Sequence, residues 1–266
     1  MIFEIDRVTY RYQQQVALRE LSLSIDEGTR VALLGANGSG KSTLLRLLDG
    51  LVFPADGEIR FRGTELIEEH FGHDAFAYDF RRQVGLVFQN PDVQLFNPTV
   101  FDEVAFGPLQ LRWNKPEVRE RVDEILNRFG IFHLKERIPH RLSGGEKKKV
   151  ALASVLVLDP AVLLLDEPTA SLDPRSQSQF IDLLVQWSGG AKTVITATHD
   201  LGDLEDIADR CCVLHAGELA ADRPPAEVLR DAELLRKTNL IHQHRHHHAS
   251  GEFHSHPHLH GHTVDR

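Results

Sequence analysis

The chain has 266 residues, enough for one large domain or two modest ones, and its 41% hydrophobic and 26% charged residues are typical of a globular protein. A formal net charge of −9 gives no general attraction for nucleic acid, so we expect no nucleic-acid partner. No apolar run of about 18 residues predicts a membrane-spanning helix, and the adjacent Cys211 and Cys212 exclude a disulfide framework.

Apolar patterning predicts strands that alternate with helices along most of the chain. Strands are expected at 21–25, 29–35, 58–63, 84–88, 161–166, 193–198 and 210–215, and helices from residue 41 and at 116–129, 145–157 and 174–187. This alternation indicates an α/β fold with a mainly parallel sheet, and the helical stretch near 90–160 indicates a subdomain inserted between strands. Periodicity stops near residue 238, which predicts a compact domain over 1–238 and a flexible, histidine-rich tail over 239–266.

Residues 35–42, GANGSGKS, match the phosphate-loop pattern G-x-x-x-x-G-K-[ST] between a predicted strand and a predicted helix. Backbone N–H groups of such a loop curl around phosphate oxygens at the positive end of the helix. Lys41 is expected to reach the β- and γ-phosphates, and Ser42 to ligate Mg²⁺. The remaining predicted nucleotide contacts are Gly35, Asn37, Gly38, Ser39, Gly40 and Thr43.

A second acidic motif follows the predicted buried strand at 161–166, where the sequence reads AVLLLDEP. Asp166 ends this strand at the edge of the sheet, where it would lie beside the phosphate loop and hold Mg²⁺. Glu167 is the natural general base for a water molecule that attacks the γ-phosphate. An apolar run that ends in two acids is weak evidence alone, but it is strong in combination with a phosphate loop.

Three more motifs, LSGGEK at 142–147, SLD at 171–173 and ATHD at 197–200, complete an ordered set that resembles the ATPase domain of ABC transporters. The resemblance covers nearly all of residues 1–235. It implies an α/β P-loop NTPase fold with a RecA-like parallel-sheet core, an antiparallel β subdomain and an inserted helical subdomain. It also implies that the protein binds ATP and Mg²⁺ and hydrolyses ATP to drive transport.

In that family the LSGGE signature completes the nucleotide site of a second subunit in a head-to-tail dimer, either a homodimer or a heterodimer with a paralogue. Ser143, Gly144 and Gly145 lead into a predicted helix, so they would form a second anion site with a hydroxyl and free N–H groups. Taken alone, the same residues are also consistent with an N-capped helix and nothing more.

Further roles follow from the family resemblance at single positions. Tyr12 resembles the aromatic residue that stacks on adenine, with Tyr10 as a rival, and either tyrosine is also consistent with core packing. Gln89 resembles the Q-loop glutamine that senses Mg²⁺ and the attacking water. His199 resembles the switch histidine at the γ-phosphate, and Asp173 resembles the D-loop aspartate that acts across the dimer.

Residues 89–108, QNPDVQLFNPTVFDEVAFGP, are similar to the ATPases of energy-coupling-factor importers, which take up vitamins, nickel or cobalt. The resemblance implies a transmembrane coupling subunit and a substrate-binding membrane subunit as partners, with the ATPase at the cytoplasmic face of the membrane. Gln94, Leu95 and Phe96 match the positions that contact coupling helices. Apolar residues here are consistent with a groove for a partner helix or with core packing: Leu95, Phe96, Val100, Phe101, Val104 and Phe106.

The tail contains ten of the chain's 16 histidines, between His242 and His262. A cloning tag normally has an unbroken histidine run, which this tail lacks, and a solvated tail with incidental histidines remains an alternative. We favour metal handling, because neighbouring imidazoles bind nickel and cobalt as well as copper and zinc. The predicted ligands alternate along the sequence: His254, His256, His258, His260 and His262.

Together these features predict an ATPase that powers nickel or cobalt import. The alternatives are a vitamin importer with an incidental tail, a soluble ABC protein that acts on nucleic acid, and a metal-storage protein. Two departures from the family pattern are a lysine in GGEKKKV where many relatives have arginine, and a long segment at 65–80. The lysine keeps the positive charge but loses bidentate geometry, and the long segment is expected to be a surface excursion without an assigned function.

Overall fold

The computed structural model describes residues 1–170, 172–187, 190, 192–247 and 253–258, with side chains described up to Ile241. The strands are β1 (Phe3–Tyr12), β2 (Gln15–Ile25), β3 (Arg30–Leu34), β4 (Asp56–Phe61), β5 (Thr64–Glu65), β6 (Val84–Val87), β7 (Val162–Asp166), β8 (Thr193–Thr198), β9 (Arg210–His215), β10 (Glu218–Arg223), β11 (His242–His247) and β12 (Phe253–His258). The helices are α1 (Lys41–Leu48), α2 (Glu68–Phe71), α3 (Asp74–Gln83), α4 (Val100–Gln110), α5 (Lys115–Arg128), α6 (Gly144–Leu156), α7 (Pro174–Gln186), α8 (Leu204–Ile207), α9 (Pro225–Arg230) and α10 (Ala232–Lys237).

The central sheet has the strand order β10-β9-β3-β8-β7-β6, and its pairs are parallel except for β10 with β9. Every residue of β3, β7 and β8 is buried, which explains the apolar runs of β3 and β7, while β8 also contains three buried threonines. In the register, Leu34 lies opposite Thr198 and Asp166 lies opposite Ala197. The loops that follow these three strands therefore leave the sheet at one edge.

A second, antiparallel sheet has the order β2-β1-β4-β5 and packs on α1. Its inward side chains share one hydrophobic cluster with Leu44, Leu45, Leu47 and Leu48 of α1. Alternating burial in β2 allows one face of this sheet to meet the core while the other faces solvent. This sheet is the antiparallel β subdomain of the predicted fold class.

The segment at 65–80 is a folded surface segment that is anchored to the core, since only Leu66 and Phe80 in it are buried. It contains α2 and most of α3, and Phe71, Phe76 and Phe80 pack against one another with ring centroids 5.0–6.0 Å apart. The Arg81 guanidinium then binds the buried Asp49 carboxylate, at 3.0 Å, at the C-terminal end of α1. The sequence patterning missed this packing because aromatic residues on two short helices give no clear helical period.

Helices α4, α5 and α6 form a subdomain inserted between β6 and β7, as the fold class predicts. Polar residues at the helix starts define its geometry: Thr99 caps α4, Asn114 caps α5, and Ser143 caps α6. Buried residues of the three helices share a hydrophobic cluster with Leu163 and Leu165 of β7. The subdomain is thereby packed directly against the strand that ends in the predicted catalytic acids.

The compact body continues past residue 238, since Leu240 and Ile241 are buried in a cluster with Leu34 and Leu204. Beyond them, where a flexible tail was expected, β11 and β12 pair as an antiparallel two-stranded sheet. The predicted ligands His260 and His262 lie outside the described residues. Within the described part of the chain, no helix has the length and apolar character needed to cross a membrane.

Candidate active site

The phosphate loop lies between β3 and α1, at the edge of the sheet where parallel strands end. Lys41 is buried and its Nζ donates hydrogen bonds to Gly35 O at 2.6 Å and Ala36 O at 3.3 Å, so its charged group lies inside the loop. Burial lowers the Lys41 pKa, and the nearby carboxylates of Glu167 and Asp166 oppose this shift. The loop thus concentrates positive charge and backbone donors where a nucleotide's phosphates are expected.

Glycine is required at particular points of this loop. A Cβ on Gly35 would lie 2.4 Å from Leu214 O, and Gly40 adopts a φ of 109° at the start of α1. Around Gly38, in contrast, no atom of the described residues beyond its two chain neighbours lies within 4 Å of where a Cβ would be. The loop is therefore packed against the protein on one side and open on the other, as a phosphate cradle requires. Asn37, Ser39, Ser42 and Thr43 lie in the same loop and helix start, and their nucleotide contacts stay predictions.

Asp166 is the last residue of β7, and the surroundings of its carboxylate are those expected of a group that binds a cation. It is 7% exposed, and no donor among the described residues lies within hydrogen-bonding distance of its Oδ1 atom. A buried acceptor without a partner is costly unless a cation or solvent satisfies it. With the partly buried Ser42 and the exposed Gln89, it supplies the oxygen ligands that Mg²⁺ prefers.

Glu167 and His199 are brought together from two neighbouring strand ends. Glu167 Oε1 lies 2.8 Å from His199 Nδ1, and Thr198 Oγ1 donates a longer bond of 3.4 Å to Glu167 Oε2. Glu167 is 6% exposed, has a left-handed φ of 45°, and donates its backbone N–H to Ala197 O. Such a backbone conformation is uncommon outside glycine, and strained residues of this kind cluster at functional sites.

Lys148 is a site residue that the sequence analysis did not single out. It lies on α6, is 1% exposed, and its Nζ donates to Phe88 O at 2.9 Å and Gln89 O at 3.2 Å. Burial lowers the Lys148 pKa to about 8. The only sequence signal is the lysine run in GGEKKKV, which looks like an ordinary solvated helix face. In the structure this lysine connects the signature helix to the segment that carries Gln89.

The signature residues lie at the open start of α6. Ser143 is exposed and forms a capping box in which its N–H and hydroxyl both donate to Glu146 at 2.8 Å. Apart from its chain neighbours and the backbone of α6 itself, no described residue has an atom within 4 Å of a Cβ built on Gly144, and Gly145 is half-buried. Among the described residues, no hydrogen bond joins these three residues to the loop at 35–42. Within the described part of the chain, the two predicted phosphate sites are therefore not hydrogen-bonded to each other.

Two further predicted residues lie apart from the catalytic acids. Tyr12 is 40% exposed at the end of β1, packs edge-on against Tyr10, and accepts a hydrogen bond from Arg46 of α1. Tyr10 is more buried in the core, so Tyr12 is the more accessible candidate for adenine. Asp173 caps α7 by accepting from Ser176 N at 3.0 Å, and bonds from Ser176 hold the Asp173 pKa below its usual value. Their nucleotide and dimer roles stay predictions.

The predicted partner groove divides into buried and exposed residues. Gln94 points inward, with its amide donating to Ala151 O at 2.9 Å and Ser154 Oγ at 3.1 Å, and Leu95 is buried. These two are packing residues of the subdomain, as are the buried Val100 and Val104 and the partly buried Phe101. Phe96 and Phe106 are 62% and 39% exposed and pack edge-on at 5.0 Å. Of the six apolar residues that were considered for the partner groove, only this aromatic pair is exposed enough to contact a partner.

Fold and site together define a class of protein, a P-loop ATPase of the ATP-binding-cassette type. A family model described as ABC transporter matches residues 18–170, which is more than half of the chain. The chain belongs to the ABC transporter family and is a transport ATPase.

Two relatives and one solved structure illustrate the similarity. The nickel import ATP-binding protein NikO of Rhodobacter capsulatus is 56% identical over 90% of this chain and 95% of its own length. The energy-coupling factor transporter ATP-binding protein EcfA of Methanothermobacter thermautotrophicus is 42% identical over 90% of this chain and 76% of its own length. The dimeric structure of the ABC transporter cassette MJ0796 matches with a TM-score of 0.76 and 27% identity, over 84% of this chain and 98% of that one.

Proposed function

We propose that this chain hydrolyses ATP to power the import of nickel or cobalt ions through a transporter of the energy-coupling-factor type. The observation that carries the hydrolytic role is the buried Glu167 carboxylate, 2.8 Å from His199 and beside the phosphate loop. The cargo assignment is supported by the nearly full-length similarity to a nickel import ATP-binding protein. It is also supported by the histidine-rich tail.

In the mechanism, the protein contributes position and charge rather than covalent chemistry. The loop at 35–42 and Lys41 bind the phosphates of ATP. Glu167 accepts a proton from the attacking water, and His199 orients the Glu167 carboxylate through the hydrogen bond to Oε1. Ser42, Gln89 and Asp166 would hold Mg²⁺, which supplies neutralising charge at the phosphate oxygens.

The active form is a head-to-tail dimer of two ATPase chains, identical or paralogous. Each chain has one phosphate loop and one open signature helix start, and no hydrogen bond joins them among the described residues. Ser143, Gly144 and Gly145 of one chain then complete the nucleotide site of the other, and Asp173 lies at the contact between chains. The dimeric cassette among the similar structures supports this arrangement.

The membrane partner is a coupling subunit that contacts the aromatic pair Phe96–Phe106. Leu109 lies one helical turn beyond Phe106 and is 46% exposed, so it extends the apolar surface along α4. Exposed aromatic pairs of this kind are typical anchors in protein interfaces. A separate membrane subunit binds the cargo, and the ATPase lies at the cytoplasmic face. The tail would buffer nickel or cobalt there, with His254, His256 and His258 among its ligands.

Metal uptake in source cells that lack this gene tests the cargo. Cells complemented with the wild-type gene should recover nickel or cobalt uptake, and cells complemented with Glu167→Gln should not, because the proton acceptor is missing. Complementation with Glu205→Gln, an exposed glutamate on α8, is the matched control. If neither metal responds while vitamin uptake does, the cargo is a vitamin and the tail is incidental.

A further inference from the structure

Two contacts attach the β1–β2 hairpin to helix α1. A Cβ built on Gly40, the residue before α1, would lie 2.6 Å from Leu18 Cδ2 and 2.9 Å from Ala17 O, so β2 packs closely against this point. In the last turn of α1, Arg46 Nη1 donates a hydrogen bond of 3.2 Å to the Tyr12 hydroxyl at the end of β1. The hairpin is thereby connected to both ends of the helix that begins at the phosphate loop.

Tyr12 lies at a position where its own strand gives it little support. It directly precedes the hairpin turn at 13–14 and is 40% exposed. Its ring packs edge-on against Tyr10, with ring centroids 5.0 Å apart. Exposed loop tips are among the most mobile parts of a domain. A hydrogen bond to a packed helix therefore restricts this ring more than the strand alone does.

The surroundings of Arg46 favour this contact. Its helix neighbours Leu45 and Leu47 are buried, so the guanidinium extends from a fixed part of the protein. Burial raises the Tyr10 pKa, with a further contribution from Tyr12, and the Arg46 charge opposes this rise, so the guanidinium lies near both rings. Among the described residues, the Tyr12 hydroxyl is the one hydrogen-bond acceptor of the Arg46 side chain.

The two ends of α1 correspond to the two ends of a nucleotide. Lys41, at the start of the helix, binds phosphates in the proposed function, and Tyr12 is the accessible ring that is predicted to stack on adenine. Arg46 follows Lys41 by five residues, which is about 7.5 Å along the helix axis. The same helix therefore holds the phosphates directly and the base through the ring of Tyr12.

We propose that Arg46 is a positioning residue for nucleotide binding, which holds the Tyr12 ring in the orientation that receives the adenine of ATP. This inference rests on the proposed ATPase function and extends it to a residue that the sequence analysis did not single out. Arg46 acts through Tyr12 and takes no part in the chemistry at Glu167. A ring that is already ordered loses less conformational entropy when ATP binds, which strengthens binding without changing the barrier of the bound complex.

Steady-state ATP hydrolysis by the purified full-length protein tests this role. Arg46→Met keeps the apolar stem but removes the donors, and Tyr12→Phe keeps the ring but removes the acceptor. Each variant should raise the KM for ATP by about threefold to tenfold, the effect of one net hydrogen bond, while kcat stays within about twofold of the wild type. Arg46→Lys, which keeps one donor group, should recover part of the lost affinity.

The double variant, Arg46→Met with Tyr12→Phe, examines whether the two residues act together. Both substitutions remove the same hydrogen bond, so the KM of the double variant should be no higher than that of the weaker-binding single variant. The matched control is Arg60→Met, which removes an exposed guanidinium of the same antiparallel sheet, bound to Glu58 at 2.9 Å. Its KM for ATP should equal that of the wild type.

Inorganic tripolyphosphate separates this role from general damage to α1. It carries phosphates but no base, so its inhibition constant depends on the phosphate loop and not on Tyr12. That constant should be unchanged in Arg46→Met. An equal rise in the KM for ATP and in the inhibition constant of tripolyphosphate would overturn the proposal, because the phosphate loop itself would then be affected.

Two other outcomes would also overturn the proposal. The first is a KM for ATP in Arg46→Met that equals the wild-type value. The second is a double variant whose KM rises by the product of the two single effects, because Arg46 and Tyr12 would then act independently. Calorimetric ATP binding to the same variants in a Glu167→Gln background gives the same comparison without turnover.

Uptake and nucleotide binding separate this inference from the proposed function. If the wild-type gene restores metal uptake but Arg46→Met binds ATP as the wild type does, the importer function stands and the role of Arg46 is wrong. If gene loss affects neither nickel nor cobalt uptake but the variants bind ATP as expected, the role of Arg46 stands and the cargo is wrong.

Discussion

At the residue scale, Glu167 and His199 show how neighbouring parallel strands build a catalytic pair. Asp166 ends β7 and Thr198 ends β8, so the next residue of each strand leaves the sheet at the same edge. Glu167 is buried while the His199 side chain is 50% exposed. The carboxylate is thereby fixed by the protein, and the histidine stays accessible to a phosphate.

Glu167→Gln should lower ATP turnover by at least about a hundredfold, because the amide keeps the shape of the side chain but cannot accept the proton. ATP affinity should change little, since Lys41 and the phosphate loop are intact. Steady-state hydrolysis and binding of a fluorescent ATP analogue measure the two quantities. Turnover at the wild-type level would show that another group is the base.

Asp49 gives a pH-dependent prediction away from the catalytic acids. Burial raises the Asp49 pKa from 3.8 to about 7, against the opposing effect of the Arg81 guanidinium. Between pH 3.8 and about 7, the Asp49 carboxyl is therefore protonated more fully in the folded state than in the unfolded state. Its contribution to the free energy of unfolding is full below pH 3.8 and is lost as the pH rises through about 7. Asp49→Asn removes the buried charge at every pH.

We therefore expect Asp49→Asn to raise the melting temperature at about pH 8 and to have a much smaller effect at about pH 5. Thermal unfolding of both proteins at the two pH values measures this difference. The control is Asp79→Asn, which removes an exposed carboxylate from α3. A stabilisation that is equal at both pH values would show that ionisation of Asp49 is not the cause.

At the element scale, α4 and the turn before it present one surface to a partner and another to the core. Glu103 of α4 is 3% exposed, and its Oε2 accepts from Phe96 N at 2.8 Å and Asn97 N at 2.7 Å. These two bonds fix the loop that carries Phe96 against the helix that carries Phe106. The exposed aromatic pair is therefore held in place before any partner binds, which lowers the entropic cost of binding.

Phe96→Ala combined with Phe106→Ala should weaken binding of the membrane coupling subunit by about 2 kcal/mol or more, as for interface hot spots. Hydrolysis by the isolated ATPase should remain, because neither ring contacts the catalytic acids. Co-purification and transport in membrane vesicles measure the effect. Phe132→Ala removes another ring of this subdomain, 42% exposed, and should leave assembly intact. Equal loss in both variants would exclude a specific role for the pair.

The elements that were predicted best from the sequence are those whose own residue composition indicates that they are buried. Strands β3, β7 and β8 agree with the predicted bounds to within one residue at each end, because both of their faces are buried and most of their residues are apolar. Strands β1 and β10 were missed although each pairs with the strand next to it in sequence, because shifts in their register interrupt the alternation of apolar and polar residues. The short helices α2 and α3 were missed because their aromatic residues give no clear helical period.

The residues of the candidate active site also fall into two groups, those predicted from local motifs and those that only the fold reveals. The phosphate loop and the catalytic acids are local motifs, so their positions follow from the sequence. Lys148 and Glu103 look like ordinary surface charges, and only the tertiary fold shows that they bind backbone groups of a distant or neighbouring segment. Gln94 was predicted to face a partner, but its amide binds Ala151 and Ser154 inside the subdomain.

At the scale of the whole molecule, the first two turns of α6 carry two functional groups, the open helix start and the Lys148 ammonium group. Ser143 and Gly144 are open at its start, and Lys148 binds the carbonyls of Phe88 and Gln89 about 7.5 Å further along the axis. In the proposed dimer, the helix start meets the nucleotide of one site and Lys148 supports the glutamine of the other. One rigid helix thereby connects the two sites.

This connection predicts that ATP binding at one site affects hydrolysis at the other. ATP bound at one site would shift α6, and Lys148 would carry that shift to Gln89 of the other site, so hydrolysis should rise with a Hill coefficient well above about 1. Lys148→Met should bring the coefficient close to about 1 while ATP still binds, whereas Lys149→Met on the same helix should not. Unchanged sigmoidal kinetics in Lys148→Met would assign the communication to another path. The hydrolysis rate of such an ATPase would rise steeply above a threshold ATP concentration rather than in proportion to that concentration.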